Sequence, residues 1–178
     1  PHLLSLRNET KETVHLFVYE RGEFYYLDKI ESPYQVRMHS RIGGRASLFR
    51  LSAGKALLAG LSPDDLKELP EPVPGEVAAE FPGIRSRGYA VDDEQNEQGL
   101  RCVGAAVLDG SGRPRGAVSV SARCTAFPRN SWRNTVPSSR GRRRASAGRS
   151  PASKSVRVPA GGLPDKNRNK ENRRRNTL

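Results

Sequence analysis

The sequence has few of the residues that mark several common classes of protein. Its two cysteines, Cys102 and Cys124, form neither a CxxC motif nor a Cys/His metal spacing, and two cysteines do not make a disulfide framework. No apolar run approaches the ~20 residues that a membrane-spanning helix needs. The first residues, Pro1–Arg7, do not have the pattern of a signal peptide. We therefore expect a protein of the reducing cytoplasm with no membrane partner.

Acidic residues are scarce in the last third of the chain. The 178 residues carry 31 Lys and Arg against 19 Asp and Glu, a formal net charge of +12. Residues 123–178 hold 16 of the basic residues but only 2 of the acidic ones, with few apolar residues and no periodicity. Such a composition does not offset the entropy lost when a chain is ordered. We predict a folded domain over residues 1–122 and a disordered basic tail over residues 123–178.

Strand-like patterns stand at both ends of the predicted domain. Thr13–Tyr19 and Phe24–Ile30 are rich in β-branched and aromatic residues and flank a short turn, which predicts a hairpin. Tyr34–Ser40 is predicted as a third strand at an edge. A glycine-rich turn separates Leu100–Leu108 from Gly116–Ser121, which predicts a second hairpin.

Helical patterns lie between these hairpins. Ser52–Gly60 reads as a short helix, and Ser62 followed by Pro63 predicts the N-cap of a second one. Four prolines between Leu69 and Pro82 predict a loop, and Ile84–Arg87 is the predicted end of a helix. The order of elements indicates an α+β fold, with helices packed on an antiparallel sheet.

Nothing in the sequence indicates catalysis. No serine lies in a nucleophile elbow and no Cys–His pair is suggested by spacing. The acidic run from Asp92 to Glu97 lacks the spacing of a calcium loop and is predicted to be solvated. His15 alternates with apolar neighbours and is predicted to be exposed. We expect no enzyme activity, no cofactor and no metal.

Two serines alternate with two valines on the last predicted strand. Alternation places Ser119 and Ser121 on one face of the strand, and Val118 and Val120 on the other. If the valines face the helices, the hydroxyl groups face either solvent or a polar pocket, and the pattern favours neither. Cys102 stands next to the apolar run Val103–Leu108, where a buried thiol is common.

The basic tail has two arginine clusters that suggest a different function. Such clusters bind nucleic-acid phosphates without sequence preference. The alternative is solvated charge with no selected role. The residues concerned are Arg142, Arg143, Arg144, Arg173, Arg174 and Arg175.

An ordered series of sequence blocks resembles the effector-binding domain of the IclR family of bacterial transcriptional regulators. The resemblance covers about residues 3–122, and the order of the blocks makes it specific. They are Glu12–Leu16, Tyr26–Ser32, Val36–Met38, Gly54–Ala59, Arg87–Glu94 and Gly99–Asp109, followed by Val118–Ser121.

The resemblance implies a GAF-like α+β fold that binds a small metabolite, often a carboxylate. It also implies a homodimer or tetramer, with operator DNA bound by a separate N-terminal winged helix-turn-helix. The implied effector pocket includes Asp92, Cys102, Ser119 and Ser121. Its implied wall consists of Met38, Ile42, Gly43 and the start of the helix at Gly54.

The chain departs from the family pattern in three places. The winged helix-turn-helix is absent, the segment between Leu69 and Ile84 is short, and residues 123–178 bear no likeness to the family's C-terminal segment. We interpret this last departure as a frameshift near codon 122, and a truncated relic without function is the alternative. A domain without its C-terminal helix would expose apolar surface, so we expect residues 1–122 to be marginally stable.

Overall fold

A computed structural model describes residues 1–34 and 40–126. The predicted tail and its frameshift therefore stay predictions, because residues 127–178 lie outside the described residues. The described elements, in chain order, are helix α1 (His2–Thr10), strands β1 (Thr13–Glu20) and β2 (Glu23–Ile30), helices α2 (Ser52–Gly60), α3 (Pro63–Lys67) and α4 (Gly75–Arg87), and strands β3 (Ala90–Asp93), β4 (Leu100–Leu108) and β5 (Pro114–Arg123).

The five strands form one antiparallel sheet in the order β2-β1-β5-β4-β3. Both predicted hairpins are confirmed, and α2 has the predicted bounds. The core lies between α2 and one face of the sheet, where Phe17 stacks on Phe24 with ring centroids 4.9 Å apart, in a buried cluster that also contains Leu57 and Leu58. This is the predicted α+β fold, with helices packed on an antiparallel sheet.

The start of α3 follows the predicted capping pattern. The Ser62 hydroxyl accepts a hydrogen bond from the Asp65 backbone N–H at 3.1 Å, and the Asp65 carboxylate accepts one from the Ser62 N–H at 3.3 Å. This reciprocal pair is a capping box, with Pro63 in the first turn.

The loop predicted between Leu69 and Pro82 is wrong over its second half. Helix α4 begins at Gly75 and continues through Pro82. Val77, Phe81 and Ile84 follow one another at helical spacing, and all three are buried in the core. Their burial outweighs the backbone hydrogen bond that Pro82 cannot donate.

The edge of β2 is paired by a segment further along the chain than predicted. Gly43 N–H donates to the Tyr26 carbonyl at 2.8 Å, Tyr26 N–H donates to the Gly44 carbonyl at 3.0 Å, and Ala46 N–H donates to the Phe24 carbonyl at 2.8 Å. The strand predicted over Tyr34–Ser40 falls mainly on residues 35–39, which lie outside the described residues.

Candidate functional site

A row of polar side chains crosses four strands on the face that α2 covers. The strand register aligns Asp92 of β3 with Cys102 of β4, Cys102 with Ser121 of β5, and Ser121 with Thr13 of β1. Residues paired in this way point to the same face of a sheet. All four are buried, with exposed fractions between 1% and 5%. We call them the first row.

A second row runs parallel to the first. Gly104 of β4 is aligned with Ser119 of β5, Ser119 with His15 of β1, and His15 with Lys29 of β2. A Cβ atom on Gly104 would lie 2.4 Å from the Ala53 nitrogen, so this face is the one beneath the start of α2. The first row and the second row together form what we call the polar patch.

The sequence pattern left open whether Ser119 and Ser121 face solvent or a polar pocket, and their burial in the polar patch excludes solvent. Ser119 and Ser121 face α2 and are 4% and 5% exposed, so they do not face solvent. Val118 and Val120 lie on the opposite face of the sheet. The premise that the valines face α2 is therefore wrong.

His15 is buried, and its predicted exposure is wrong. Its side chain is completely inaccessible to solvent, and its ring lies edge-on to Tyr26 with centroids 5.4 Å apart. Alternation with Val14 and Leu16 correctly separates the two faces of β1. It does not reveal that Val14 and His15 are both buried, because the strand is covered on both sides at this point.

The two nitrogens of the His15 imidazole have different surroundings. Nε2 lies 2.8 Å from the Ser40 hydroxyl oxygen, and the Ser40 carbonyl accepts a hydrogen bond from Lys29 Nζ at 3.0 Å. Nδ1 is buried without a hydrogen-bond partner among the described residues. Burial, assisted by the Lys29 charge, lowers the pKa of His15 to about 4, so the ring is neutral near pH 7.

Asp92 is buried at the end of the first row, so the prediction of a solvated acidic run is wrong at this residue. Its Oδ1 accepts hydrogen bonds from the N–H groups of Gln95 at 2.8 Å and Asn96 at 3.2 Å. Burial raises the pKa of Asp92, while these two bonds and the Lys55 charge lower it by less. The net effect favours the neutral acid relative to an exposed aspartate.

A buried lysine holds the loop that follows β3. Lys55 of α2 is 1% exposed, and its Nζ donates to Glu80 of α4 at 2.9 and 3.0 Å and to Gln95 Oε1 at 2.7 Å. Since Gln95 also bonds Asp92, Lys55 links one end of the polar patch to α4.

The Cys102 thiol is buried and held in its protonated form. Burial is the main cause that raises the pKa of Cys102 to about 12, against a hydrogen bond with Ser121 that lowers it. A thiol in this state is a weak hydrogen-bonding group and not a nucleophile at neutral pH.

The first turn of α2 contributes further hydrogen-bond donors to the patch. The first return bond of the helix runs from Lys55 N–H to the Leu51 carbonyl at 3.0 Å, so the preceding N–H groups have no partner within the helix. The Ser52 hydroxyl is buried without a partner among the described residues. No acidic side chain lies in this turn, so its N-terminal dipole favours an anion.

The structure brings together only part of the predicted site. Asp92, Cys102, Ser119 and Ser121 converge in the polar patch. Gly54 lies in the first turn of α2, where a Cβ atom would be 2.4 Å from the Leu48 carbonyl oxygen.

The predicted wall is less completely described. Gly43 bonds the Tyr26 backbone, Ile42 is 55% exposed, and Met38 lies outside the described residues. The tail arginines, from Arg142 to Arg144 and from Arg173 to Arg175, also lie outside them. Thr13, His15, Ser52 and Lys55 are not among the predicted site residues, because the strand register and the close approach of α2 that bring them to the patch depend on residues far apart in the chain.

One group of possible metal ligands lies away from the polar patch. Side-chain atoms of Asp93, Glu94 and Cys124 come within 4.8 Å of one another. The Arg101 guanidinium already bonds Asp93 through Nε at 2.6 Å and lies 3.9 Å from Glu94 Oε1. An arginine therefore supplies the positive charge among these acidic groups.

An apolar surface groove of about 590 Å³ lies elsewhere, between α3 and α4. It contains none of the predicted site residues. The groove is lined by Leu66, Lys67, Leu69, Pro72, Val73, Ala78 and Phe81.

No helix in the described part of the chain is long and apolar enough to cross a membrane.

Comparison with known proteins agrees with this fold. The family model for the C-terminal domain of the bacterial transcriptional regulator IclR matches residues 1–140. The chain belongs to the IclR family. Within the family, it is similar to the HTH-type transcriptional regulator KdgR of Escherichia coli, with 36% identity over 124 residues that cover 63% of this chain and 47% of KdgR.

Further relatives support the assignment. The transcriptional repressor IclR of Escherichia coli is 31% identical over 135 residues, which cover 68% of this chain and 49% of the repressor. The crystal structure of the Thermotoga maritima IclR matches with a TM-score of 0.69 and 34% identity, over 75% of this chain and 59% of that one. The chain thus spans about half the length of the curated relatives it matches. It is the regulatory, C-terminal domain of an IclR-type regulator, and effector binding is the general role of this domain.

Proposed function

We propose that the polar patch binds a small carboxylate effector. The observation that carries this proposal is the burial of hydroxyl, thiol and carboxyl groups on the sheet face that meets the first turn of α2, whose N–H groups have no partner within the helix. Buried polar groups are costly unless they are hydrogen-bonded, so a polar surface enclosed in this way is suited to a ligand.

The charges around the patch favour an anion. The N-terminus of α2 carries a partial positive charge, and the Ser52, Ser119 and Ser121 hydroxyls are able to donate to carboxylate oxygens. Asp92 is the one acid of the first row, and the rise in its pKa reduces its repulsion of a bound carboxylate. Apolar contacts from Tyr26 would then limit the size of the effector.

The serines supply the test of this proposal. We expect the variant that combines Ser119→Ala with Ser121→Ala to bind a carboxylate effector at least about tenfold more weakly, because a hydrogen bond to a charged group contributes about 1.5–3 kcal/mol. Isothermal titration with carboxylic acids of two to six carbons measures the affinity.

Ser86→Ala is the matched control, since Ser86 is an exposed residue of α4. It should bind as the unmodified chain does. If no acid of the panel bound, or if the double variant bound as tightly as the control, the proposal would be wrong.

We infer that this domain acts within a longer protein. Relatives named as HTH-type regulators are about twice as long as their match to this chain. A helix-turn-helix joined to the domain would bind operator DNA, and effector binding would control transcription by favouring one arrangement of the paired DNA-binding domains. A homodimer or tetramer would supply those pairs.

A further inference from the structure

Two buried polar atoms at the polar patch have no hydrogen-bond partner among the described residues. They are Nδ1 of His15 and the hydroxyl oxygen of Ser52, and both side chains are 1% exposed or less. A buried polar group without a partner is unfavourable, and in native structures it commonly marks a place where a ligand or an ordered water binds.

These two residues flank Ser119. His15 is aligned with Ser119 on one side, and Gly104 is aligned with it on the other. The start of α2 lies directly above Gly104, because a Cβ atom there would be 2.6 Å from the Ser52 carbonyl carbon. Ser119, which has a small side chain, therefore stands between the imidazole on one side and the helix N-terminus on the other.

The imidazole is held in one orientation before any ligand arrives. Nε2 is bonded to Ser40, and the ring lies against Tyr26 and against Phe17, with a centroid distance of 5.9 Å to the latter. Two aromatic contacts and one hydrogen bond fix the ring and leave Nδ1 as the atom that remains for a partner.

Because the ring is neutral, its hydrogen-bonding capacity limits which chemical groups can pair with Nδ1. A neutral imidazole has one N–H donor and one acceptor nitrogen, and the direction of the Ser40 bond decides which of them is Nδ1. A hydroxyl group can donate or accept, so it pairs with Nδ1 in either tautomer. A carboxylate oxygen only accepts, and it already has donors at the other end of the patch.

We propose that the effector of this domain is a hydroxy acid, and that His15 is the residue that recognises its hydroxyl group. The carboxylate binds at Ser119, Ser121 and the first turn of α2, and the hydroxyl binds Nδ1 of His15. This inference rests on the proposed function, and it adds the class of effector and a residue that determines specificity.

The test compares matched acids on the full chain. Isothermal titration measures glycolate against acetate, each enantiomer of lactate against propionate, and the 2-hydroxy and 3-hydroxy acids of four to six carbons against their deoxy partners. We expect at least one hydroxy acid to bind tenfold or more tightly than its deoxy partner.

Two substitutions at His15 distinguish the contribution of Nδ1 from that of Nε2. In His15→Asn the amide occupies the place of Nδ1, whereas in His15→Gln it occupies the place of Nε2 and keeps a partner for Ser40. We expect the preference for the hydroxy acid to fall below threefold in His15→Gln and to be retained in part by His15→Asn. A purely structural role of His15 would weaken both acids of a pair together and leave their ratio unchanged.

A measurement on the unmodified chain tests the same inference even if a variant does not fold. The ¹⁵N resonance of His15 Nδ1 should shift when the preferred hydroxy acid is added, and it should shift less with its deoxy partner at equal saturation. Equal affinities for every hydroxy and deoxy pair would overturn this inference while leaving carboxylate binding intact. Absence of binding by all acids would instead overturn the proposed function.

Discussion

His15 is the residue whose environment differs most from what its sequence neighbours indicate. A ring between two apolar residues on a strand is expected to point to solvent, yet His15 lies in the polar patch with a pKa lowered to about 4 by burial and by the Lys29 charge. The residue therefore contributes an uncharged hydrogen-bonding group at neutral pH, which suits recognition of a neutral hydroxyl.

Burial of His15 has a consequence for stability as a function of pH. The pKa of the folded state, about 4, lies below the ordinary value of 6.5. The unfolded chain therefore binds a proton that the folded chain rejects, and the free energy of unfolding should decrease as pH falls from about 6.5 to about 4, by up to about 3 kcal/mol.

Urea unfolding at several pH values checks this expectation. His15→Asn should show a smaller decrease over that pH range than the unmodified chain. His2→Asn is the control, because His2 is exposed at the start of α1, and it should keep the full decrease. The contribution of Asp92 has the opposite sign, since its raised pKa adds stability as pH falls, and it is common to all three proteins. Identical slopes for His15→Asn and the unmodified chain would refute the expectation.

At the scale of elements, two glycines set the distance between α2 and its neighbours. Gly104 lets the sheet approach the helix backbone, and Gly54 lets the helix approach the Leu48 carbonyl. In both places a Cβ atom would meet main-chain atoms at 2.4 Å, and main-chain atoms cannot turn aside as a flexible side chain does.

Gly104→Ala should therefore move α2 away from the polar patch. We expect it to lower the free energy of unfolding by about 1–3 kcal/mol, as overpacking usually does, and to weaken effector binding as well. Thermal unfolding and isothermal titration measure the two effects. Gly110→Ala is the matched control, because a Cβ atom at Gly110 meets nothing within 4 Å, and its stability should change by less than about 0.5 kcal/mol. Equal effects of the two substitutions would contradict this account of the packing.

At the scale of the whole molecule, charge and proposed function lie in different parts of the chain. The polar patch lies in residues 13–121, where acidic residues slightly outnumber basic ones. The arginine clusters that would bind nucleic acid lie beyond residue 140, after the end of the family match. The high net charge therefore gives little information about the regulatory domain.

Removal of residues 141–178 tests whether effector binding and any DNA binding depend on different parts of the chain. We expect the shortened chain to keep its affinity for a carboxylate effector. If the arginine clusters bind nucleic acid, the full chain should bind DNA of unrelated sequence with an affinity that falls steeply as salt increases, and the shortened chain should lose this binding, because it lacks both clusters. Fluorescence anisotropy at several salt concentrations measures DNA binding. Equal DNA affinities of the two chains would show that the tail arginines are not responsible.

Interactions between residues close together in the chain determine several secondary-structure elements, so the sequence alone was enough to predict them. The hairpins, α2 and the capping box at Ser62 follow from turn residues, alternation and caps that act within a few positions. The ordered blocks were enough to indicate the IclR family. Only the end of helix α4, Ile84–Arg87, was predicted, because Pro82 signals a break locally, while burial of Phe81 against distant residues stabilises the helix.

Only the tertiary structure decided how the site is assembled. Alternation separates the two faces of a strand, but it does not say which face a helix will cover or which residue of the next strand will stand beside a given one. Cross-strand register aligned Asp92, Cys102, Ser121 and Thr13, and the close approach at Gly104 brought the first turn of α2 onto the same face of the sheet. Both depend on contacts between residues far apart in the chain, and for that reason His15 lies in the polar patch although nothing near it in the sequence indicates this.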